Sequence, residues 1–437
     1  MQLVLDRDQI SQLLSNEVDA AVGYSDSQLS ADRIEATDYY LGKPFNSVPE
    51  GRSSVIATEV ADTVEHMMPA LMEIFMRSGD IVKFLPRHPE DQQKAEAATM
   101  LVNSVFQSQA QPFGLLHDFV KDALLYKCGV LRAGYDTRVE YTTERYEALT
   151  DMDVQALTAQ PDVEVLEAVS VATDDQPPLF ELFDVELRRA KRTSAIKVET
   201  VAPEDFLFNA MATSVEDATF LAQRTYSTVG ELVAQGYDRD EVEERTGLGE
   251  GWDEEETQAR HEQIDGGRTT HYGTRENELV RVVEAYMPLD MHDTGIPTMH
   301  RVLAIGQDNH VVDVEPVDRS PFVVASPIRM PHRLVGRSVA ELVTDIQRIK
   351  SVALRGVLDN LYLQNDQRIA VVEGRVNIDD LLHSRPGGVV RQDAPGMVTP
   401  LPVPVLGPQG MSLLNYMDEV RDQRTGNKAL HLDSDSL

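Results

Sequence analysis

Apolar residues return every three or four positions along several stretches of the chain, the spacing that puts them on one side of an α-helix. Ile56, Val60, Val64, Met67, Met68, Leu71, Ile74 and Phe75 follow this rule and predict a helix over Ala57–Arg77. Pro69 is placed to kink it. A second helix starts at Pro89-Glu90-Asp91 and runs to about Gln107. Proline suits a first helical turn, and the acids suit the positive end of the helix dipole. A third covers Leu115–Lys127 and passes through Gly129 into a strand, Val130–Tyr135. Residues 1–37 read as amphipathic helix with polar linkers, Thr228–Gly236 as a short helix, and Met411–Arg424 as a last helix broken at Gly426.

The clearest element is Ser338–Gln364. Ser338 and Glu341 have the spacing of a capping box, and Val339, Leu342, Val343, Ile346, Ile349, Ala353, Val357 and Leu361 form a sustained apolar stripe. Arg348, Lys350, Arg355 and Asp359 lie off that stripe. At about 1.5 Å per residue the helix is roughly 40 Å long, which suits the wall of a bundle or ring.

Between these helices the pattern changes to alternation, the mark of strands. Leu182–Leu187 and Ala195–Val201 alternate on either side of a basic segment, Arg188, Arg189, Lys191 and Arg192, which reads as a turn. Further strands are expected at Leu279–Tyr286, Met299–Ile305, Val311–Val314, Phe322–Ala325 and Ile369–Val372. Pro386, Gly387, Gly388, Pro395, Pro400, Pro402, Pro404 and Pro408 mark an extended connection after them. The chain is therefore α+β, and 437 residues suffice for two or three domains with real cores.

Charge sharpens the picture. Acids outnumber bases 73 to 40, a formal charge of −33, and such a surface repels nucleic-acid phosphate and anionic lipid. Residues 140–180 hold ten acids and one arginine, and residues 238–265 hold twelve acids and three arginines. Both stretches read as solvated loops or helices, or more sharply as an electrostatic wall past which DNA slides. The single cysteine, Cys128, excludes an internal disulfide and reads as a small buried hydrophobe in a reducing compartment. No stretch approaches the ~20 apolar residues of a membrane span, and the N-terminus, with Asp6 and Asp8 around Arg7, lacks the form of an export signal. The methionine stripe of Met67, Met68, Met72 and Met76 suits a core or a subunit interface.

A search for chemistry finds little. There is no phosphate-binding GxxxxGK[ST] loop, no GxSxG elbow and no HExxH helix. Gly247, Gly249 and Gly251 precede Asp253, Glu254, Glu255 and Glu256, which would repel a phosphate. Asp290, His292, Asp293, His300, Asp308 and His310 are close in sequence and would be the ligands of a metal-dependent hydrolase, but their spacing fits no tight metal motif. Polar hairpin turns explain them more simply. No nucleophile, base and orienting group assemble, no cofactor is called for, and a structural protein is favoured over an enzyme.

Five segments, in order, resemble the portal protein of tailed bacteriophages: SSVIATEVADTVEHMMPALMEIF, FGLLHDFVKDALLYKCGVLRAGY, VETVAPEDFLFNAMATSVEDATFLAQRTYSTVGELVAQGYD, GRSVAELVTDIQRIKSVALRGVLDNLYLQNDQRIAVVEGRVNIDDLLHSRPGGVVR and LLNYMDEVRDQRTGNKAL. The resemblance implies a non-catalytic ring of about twelve copies at one capsid vertex. Double-stranded DNA is packaged and ejected through it. The ring docks the terminase large subunit and then head–tail adaptor or tail proteins, beside the major capsid and scaffolding proteins, with no membrane partner. The protein would be made in the host cytoplasm and reside at the portal vertex of the virion. It also implies a mainly helical wing over residues 1–225, an acidic connection with a possible first stem helix over 226–274, and a small α/β clip over 275–330. The second stem helix then falls at 331–365, a wing hairpin and long wing helix at 366–423, and the start of the tunnel loop at 424–437. Crown helices follow in family members, so the expectation for this chain is either a truncation or a missing crown. Carried to residues, Arg348, Lys350 and Arg355 are DNA-channel candidates, and Arg424, Thr425, Gly426, Asn427 and Lys428 are tunnel-loop candidates. Asp290, His292, Asp293, His300, Asp308 and His310 are clip-docking candidates. Another ring-forming phage adaptor is the remaining structural alternative.

Overall fold

The computed structural model describes residues 5–77, 81–109, 111–160, 162–171, 182–246, 274–292, 294–365, 367–383 and 387–426. Helix α1 (Arg7–Ser25) starts on a capping box between Asp6 and Gln9, and Ile10, Leu14, Val18 and Ala21 bury along one side. The polar linker expected after it is helical too. A π-helical turn, Asp26–Ser30, carries the chain directly into α2 (Ala31–Tyr40). Helices α3 (Glu59–Met76), α4 (Gln92–Gln109) and α5 (Pro112–Tyr126) follow, close to their expected positions. Val60, Val64, Met68 and Met72 of α3 pack with Leu115, Leu116, Val120 and Leu124 of α5 and Tyr39 of α2. Two of the four stripe methionines therefore lie in this core, while Met76 is exposed. After α5 the chain turns through Lys127, at φ +75°, and Cys128 is fully buried. Gly129 is required here, because a Cβ would stand 2.2 Å from the Phe119 carbonyl oxygen.

The next segment departs most from expectation. Strand β1 (Gly129–Thr150) runs 22 residues instead of six, helix α6 (Asp151–Thr158) and strand β2 (Val163–Val171) follow, and β3 (Leu182–Val201) runs 20 residues without a break. Val130 faces Val201 at one end of the antiparallel pair, and Thr150 faces Leu182 at the other. Arg188, Arg189, Lys191 and Arg192 are thus mid-strand and form no turn. The described part of the acidic stretch 140–180 is two strands and one short helix, with most of its side chains exposed. Cross-strand ion pairs explain why the basic segment is strand. Arg188 reaches Glu164 at 2.6 Å, Arg145 reaches Glu186 at 3.2 Å and Arg189 reaches Glu144 at 3.4 Å. Three of the charges that looked loop-like, Arg145, Arg188 and Arg189, thus have a counter-charge on the neighbouring strand. Residues 172–180 lie outside the described part.

A second sheet follows. Strands β4 (Phe206–Phe208) and β5 (Leu221–Thr228) lead into helices α7 (Val229–Gln235) and α8 (Arg239–Glu243). Strands β6 (Leu279–Leu289), β7 (Thr298–Ile305) and β8 (His310–Pro316) continue it, in the antiparallel order β4-β5-β6-β7-β8. Helix α1 covers one face, against Phe220, Val283, Val302 and Val311. Val229, Leu232 and Val242 of α7 and α8 cover the other, against Val280, Val282, Leu303 and Ile305. The divisions at residues 225 and 275 therefore cut through one sheet, because β5 pairs with β6 along its whole length. Strand β9 (Phe322–Ala325) crosses to the first sheet and pairs with Gly129–Arg132 of β1. The chain then forms α9 (Val339–Asn365), the small hairpin β10 (Ile369–Val371) and β11 (Val398–Pro400) around α10 (Ile378–Leu382), and α11 (Gly407–Thr425).

One charged junction sews the two sheets together. The Glu284 carboxylate on β6 accepts from Arg132 on β1, from Arg301 on β7 at 2.9 Å and from the Tyr286 hydroxyl at 2.6 Å. Arg132 also pairs with Glu199 at 3.0 Å. Burial alone would raise the Glu284 pKa, but the Arg132 and Arg301 charges outweigh it and hold the carboxyl below its ordinary range. The ionised form therefore contributes stability that is complete above the unfolded pKa of about 4.3. That contribution is lost as pH falls through the lower native value. Glu284→Gln should flatten the acid limb of the stability–pH curve measured by chemical denaturation from about pH 6 to 3. An unchanged slope would remove Glu284 from the junction's energetics.

Candidate functional site

Helix α9 organises the other helices, and its chemistry changes halfway along. Ser338 is fully buried, and its hydroxyl accepts from the Glu341 amide at 3.1 Å. In the first half the expected stripe is buried: Val339 and Val343, with Ala340, enter the core of α2, α3 and α5, and Ile346 is buried as well. In the second half the pattern inverts. Ile349, Val352 and Leu361 are exposed, whereas Gln347, Lys350, Ser351, Arg355 and Asn360 are buried.

The reason lies in the segment that precedes α3. Residues 53–58 and the first turn of α3 run antiparallel along α9, and their backbone groups need partners. Gln347, Ser351, Arg355 and Asp359, spaced by four, stand in one row on the helix and supply them. Asp359 accepts from the Ser53 amide at 2.7 Å, and Arg355 donates to the Val55 carbonyl at 2.8 Å. Ser351 accepts from the Ala57 amide at 3.0 Å, and Gln347 accepts from the Val60 amide at 2.8 Å. Gln347 also donates to the Tyr39 carbonyl at 2.8 Å, which ties α2 to the same row. Arg355 further donates to Asn46 at 2.7 Å, with its guanidinium 5.0 Å from the Phe45 ring centre.

A charged cluster beside this row fastens α11. Lys350 pairs with the buried Glu59 of α3 and, at 2.7 Å, with Asp418 of α11. Arg421 of α11 reaches Glu59 at 2.7 Å and Asp418 at 3.3 Å. Arg424 pairs with Asp345 of α9 at 2.7 Å and donates to the Leu342 carbonyl at 3.0 Å. Leu414 is the one residue of α11 that is buried, so charge rather than apolar area holds this helix down. Gly410 lets it come close: a Cβ there would lie 2.2 Å from Val357.

These contacts settle where the DNA-channel candidates sit within the subunit. Within the subunit Lys350 and Arg355 are buried and engaged with the intrasubunit partners just named. Arg348 lines a groove between α2 and α9 with Asp32, Glu35, Tyr39, Arg337, Glu341 and Asp345. Of the tunnel-loop candidates, Arg424 and Thr425 belong to the last turn of α11, and Gly426 closes it at φ +72°. Asn427 and Lys428 lie outside the described residues.

The histidine–aspartate candidates do not converge. Asp290 organises the loop between β6 and β7, accepting from the amides of Thr294 at 2.9 Å and Gly295 at 2.6 Å, with His292 in the same loop. These amide bonds hold its carboxyl below the usual range. Asp308 and His310 stand at the other end of β7, where His310 meets Glu241 at 2.6 Å. The eight residues of β7 separate the two ends by about 25 Å. His300 is buried in the sheet with Nδ1 2.7 Å from the Thr298 carbonyl oxygen, and Asp293 lies outside the described residues. The five described candidates therefore do not gather at one point. Among the described residues, no three His, Cys, Asp or Glu side chains gather where a metal could bind, and no helix is long and apolar enough to cross a membrane. The glycines at 247, 249 and 251, with the acids after them, are outside the described part.

Sequence reasoning missed Glu59, Gln347, Ser351, Asp418 and Arg421. The four-residue spacing of Gln347, Ser351, Arg355 and Asp359 was the available signal. A family model described as phage SU10 portal protein matches residues 10–437. No curated protein matches the chain.

The polar row makes a direct prediction. Gln347→Ala leaves the buried Val60 amide and Tyr39 carbonyl without these partners, and should destabilise the protein by about 2–5 kcal/mol. Denaturant unfolding measures this. A loss under about 0.5 kcal/mol, the usual size for a surface substitution, would show that the row does not hold the segment.

Proposed function

The chain belongs to the phage SU10 portal protein family, and from that premise we propose that it forms the ring at one capsid vertex through which double-stranded DNA is packaged and later ejected. The match over nearly the whole chain carries this reading. In it, about twelve copies close the ring, and the terminase large subunit and then the tail adaptors dock on it in turn. The subunit is a conduit without catalysis, made in the host cytoplasm and resident at the portal vertex beside capsid and scaffolding proteins.

The structure's electrostatics support a conduit that lets DNA slip. Each phosphate neutralised by a base adds salt-dependent affinity, and a tight channel would stall translocation. In this subunit Lys350 is ion-paired with Glu59 and Asp418, Arg355 is buried on neutral acceptors, and the chain as a whole is at −33. The groove that holds Arg348 also holds four acids, Asp32, Glu35, Glu341 and Asp345. The exposed apolar residues of α9, Ile349, Val352, Leu361 and Tyr362, suit contact with a neighbouring subunit better than contact with DNA. The wing, stem and clip divisions are carried forward with one change: β4–β8 and α1 form a single body, so residues 206–228 go with the strands after 279.

Negative-stain electron microscopy with mass photometry tests the reading. The expected result is closed rings near twelve subunits in mass, with a central hole of DNA width. Duplex DNA should bind weakly, and Lys350→Met and Arg355→Gln should leave that binding unchanged. A protein that stays monomeric at high concentration, or a ring without a DNA-wide pore, would contradict it.

A further inference from the structure

Helix α11 is fastened to α9 by different means at its two ends. At its start, Asn360 of α9 donates to the Pro404 carbonyl at 2.9 Å and accepts from the Leu406 amide at 3.2 Å. Gly410 lies close against Val357 just beyond this clamp. Towards the other end the contacts are charged. Asp418 meets Lys350, Arg421 meets Glu59 and Arg424 meets Asp345, each at 2.7 Å. Leu414 is buried, Met417 and Val420 are only partly covered, and Met411, Leu413 and Tyr416 are exposed. By contrast, α3 buries Val60, Val64, Met68 and Met72 in the core that it shares with α5.

Most of the charged groups that hold α11 are open to water. The side chains of Asp418 and Arg424 are 41% exposed and that of Asp345 is 56% exposed. Ion pairs so exposed contribute little and are screened by salt. The deeply buried acid, Glu59, keeps Lys350 of α9 as a partner whether α11 is docked or not. Arg421 likewise keeps Asp418 and Asp422 of its own helix. Lifting α11 therefore strands no buried charge, and stranding one is the large penalty that otherwise holds such a helix in place. We propose that α11 is a strap that lifts from α9 as one unit, pivoting about the Asn360 clamp, and that ionic strength sets its docking equilibrium. The core of α2, α3, α5 and the first half of α9 stays folded while the strap is open, because local units with few buried apolar contacts open first. The inference concerns contacts within one subunit and stands apart from the ring reading.

Hydrogen–deuterium exchange of the full chain, read by mass spectrometry at about 0.05 M and about 1 M sodium chloride, tests this. Once lifted, a 19-residue helix without packing is marginal in water, so its amides exchange. Amides of residues 411–425 should exchange at least about 100-fold faster than those of residues 343–351. High salt should speed them by about a further tenfold and leave 343–351 unchanged. Asp418→Asn with Arg424→Gln should produce the same speeding at low salt, without lowering the midpoint of the main thermal transition. Val357→Cys with Gly410→Cys locates the pivot: a Cβ at 410 would lie 3.7 Å from the Val357 Cβ, inside the ~3.5–4.5 Å span of a disulfide. Oxidised, this variant should keep the fast, salt-dependent exchange of residues 414–425. If residues 411–425 and 343–351 exchange at one rate at both salt concentrations, or the Asp418 and Arg424 double variant lowers the main melting midpoint, α11 belongs to the core and the strap inference falls. A disulfide that slows residues 414–425 to the rate of α9 would overturn the pivot.

Discussion

Burying a backbone segment against a helix obliges that helix to offer hydrogen bonds, and the rest of this subunit depends on how α9 meets that obligation. Residues 53–58 lie along α9 without being helix or strand, and the first amides of α3 follow them, so these backbone groups have no ladder to join. The row of Gln347, Ser351, Arg355 and Asp359 replaces the ladder. Once the segment is fixed, α3 begins at a defined point, Glu59 is brought under Lys350, and α11 gains the anchor that its own sequence cannot provide. A helix with one buried apolar residue would otherwise have little reason to dock.

The same arrangement bears on how the subunit treats DNA. In an acidic chain the few bases are scarce, and the long helix uses two of them internally. The two phenomena are linked, because a cation buried in a subunit with so many acids finds partners easily, as Lys350 does with Glu59 and Asp418. What remains exposed on α9 is largely apolar, with Asp345 and Arg348 as its exposed charges. In the proposed ring such a surface suits contact with neighbouring subunits.

Much of the helical part was legible in the amino-acid pattern. The capped start of α9, the apolar positions of α3 and α5, and the strands β6–β9 all appear within a few residues of their expected ends, because one period governs each of them. Three things were not legible, for physical reasons. The ribbon was hidden because some of its charges pair across strands, so Arg188–Arg192 looks like a turn until Glu144 and Glu164 are beside it. The polar row was hidden because an apolar stripe on the same helix suggested which side is buried, and the stripe holds only as far as Ile346. The sheet spanning residues 206 and 316 was hidden because its members are separated by an acidic stretch that looks like a domain linker. For the candidate residues, proximity in sequence was a poor guide: Asp290 and His310 share a sheet but stand at opposite ends of a strand.

The central claim is that the cations of the long helix hold the subunit together and leave an acidic conduit formed by many copies. A cryo-electron microscopy map of the purified assembly, at a resolution that shows side chains, tests it most directly. The account predicts a closed ring around a DNA-wide channel, with Lys350 on Glu59 and Asp418 and Arg355 on the backbone of residues 54–55 in every subunit. A ring in which Lys350 and Arg355 turn into the channel, or an assembly with no channel, would contradict it.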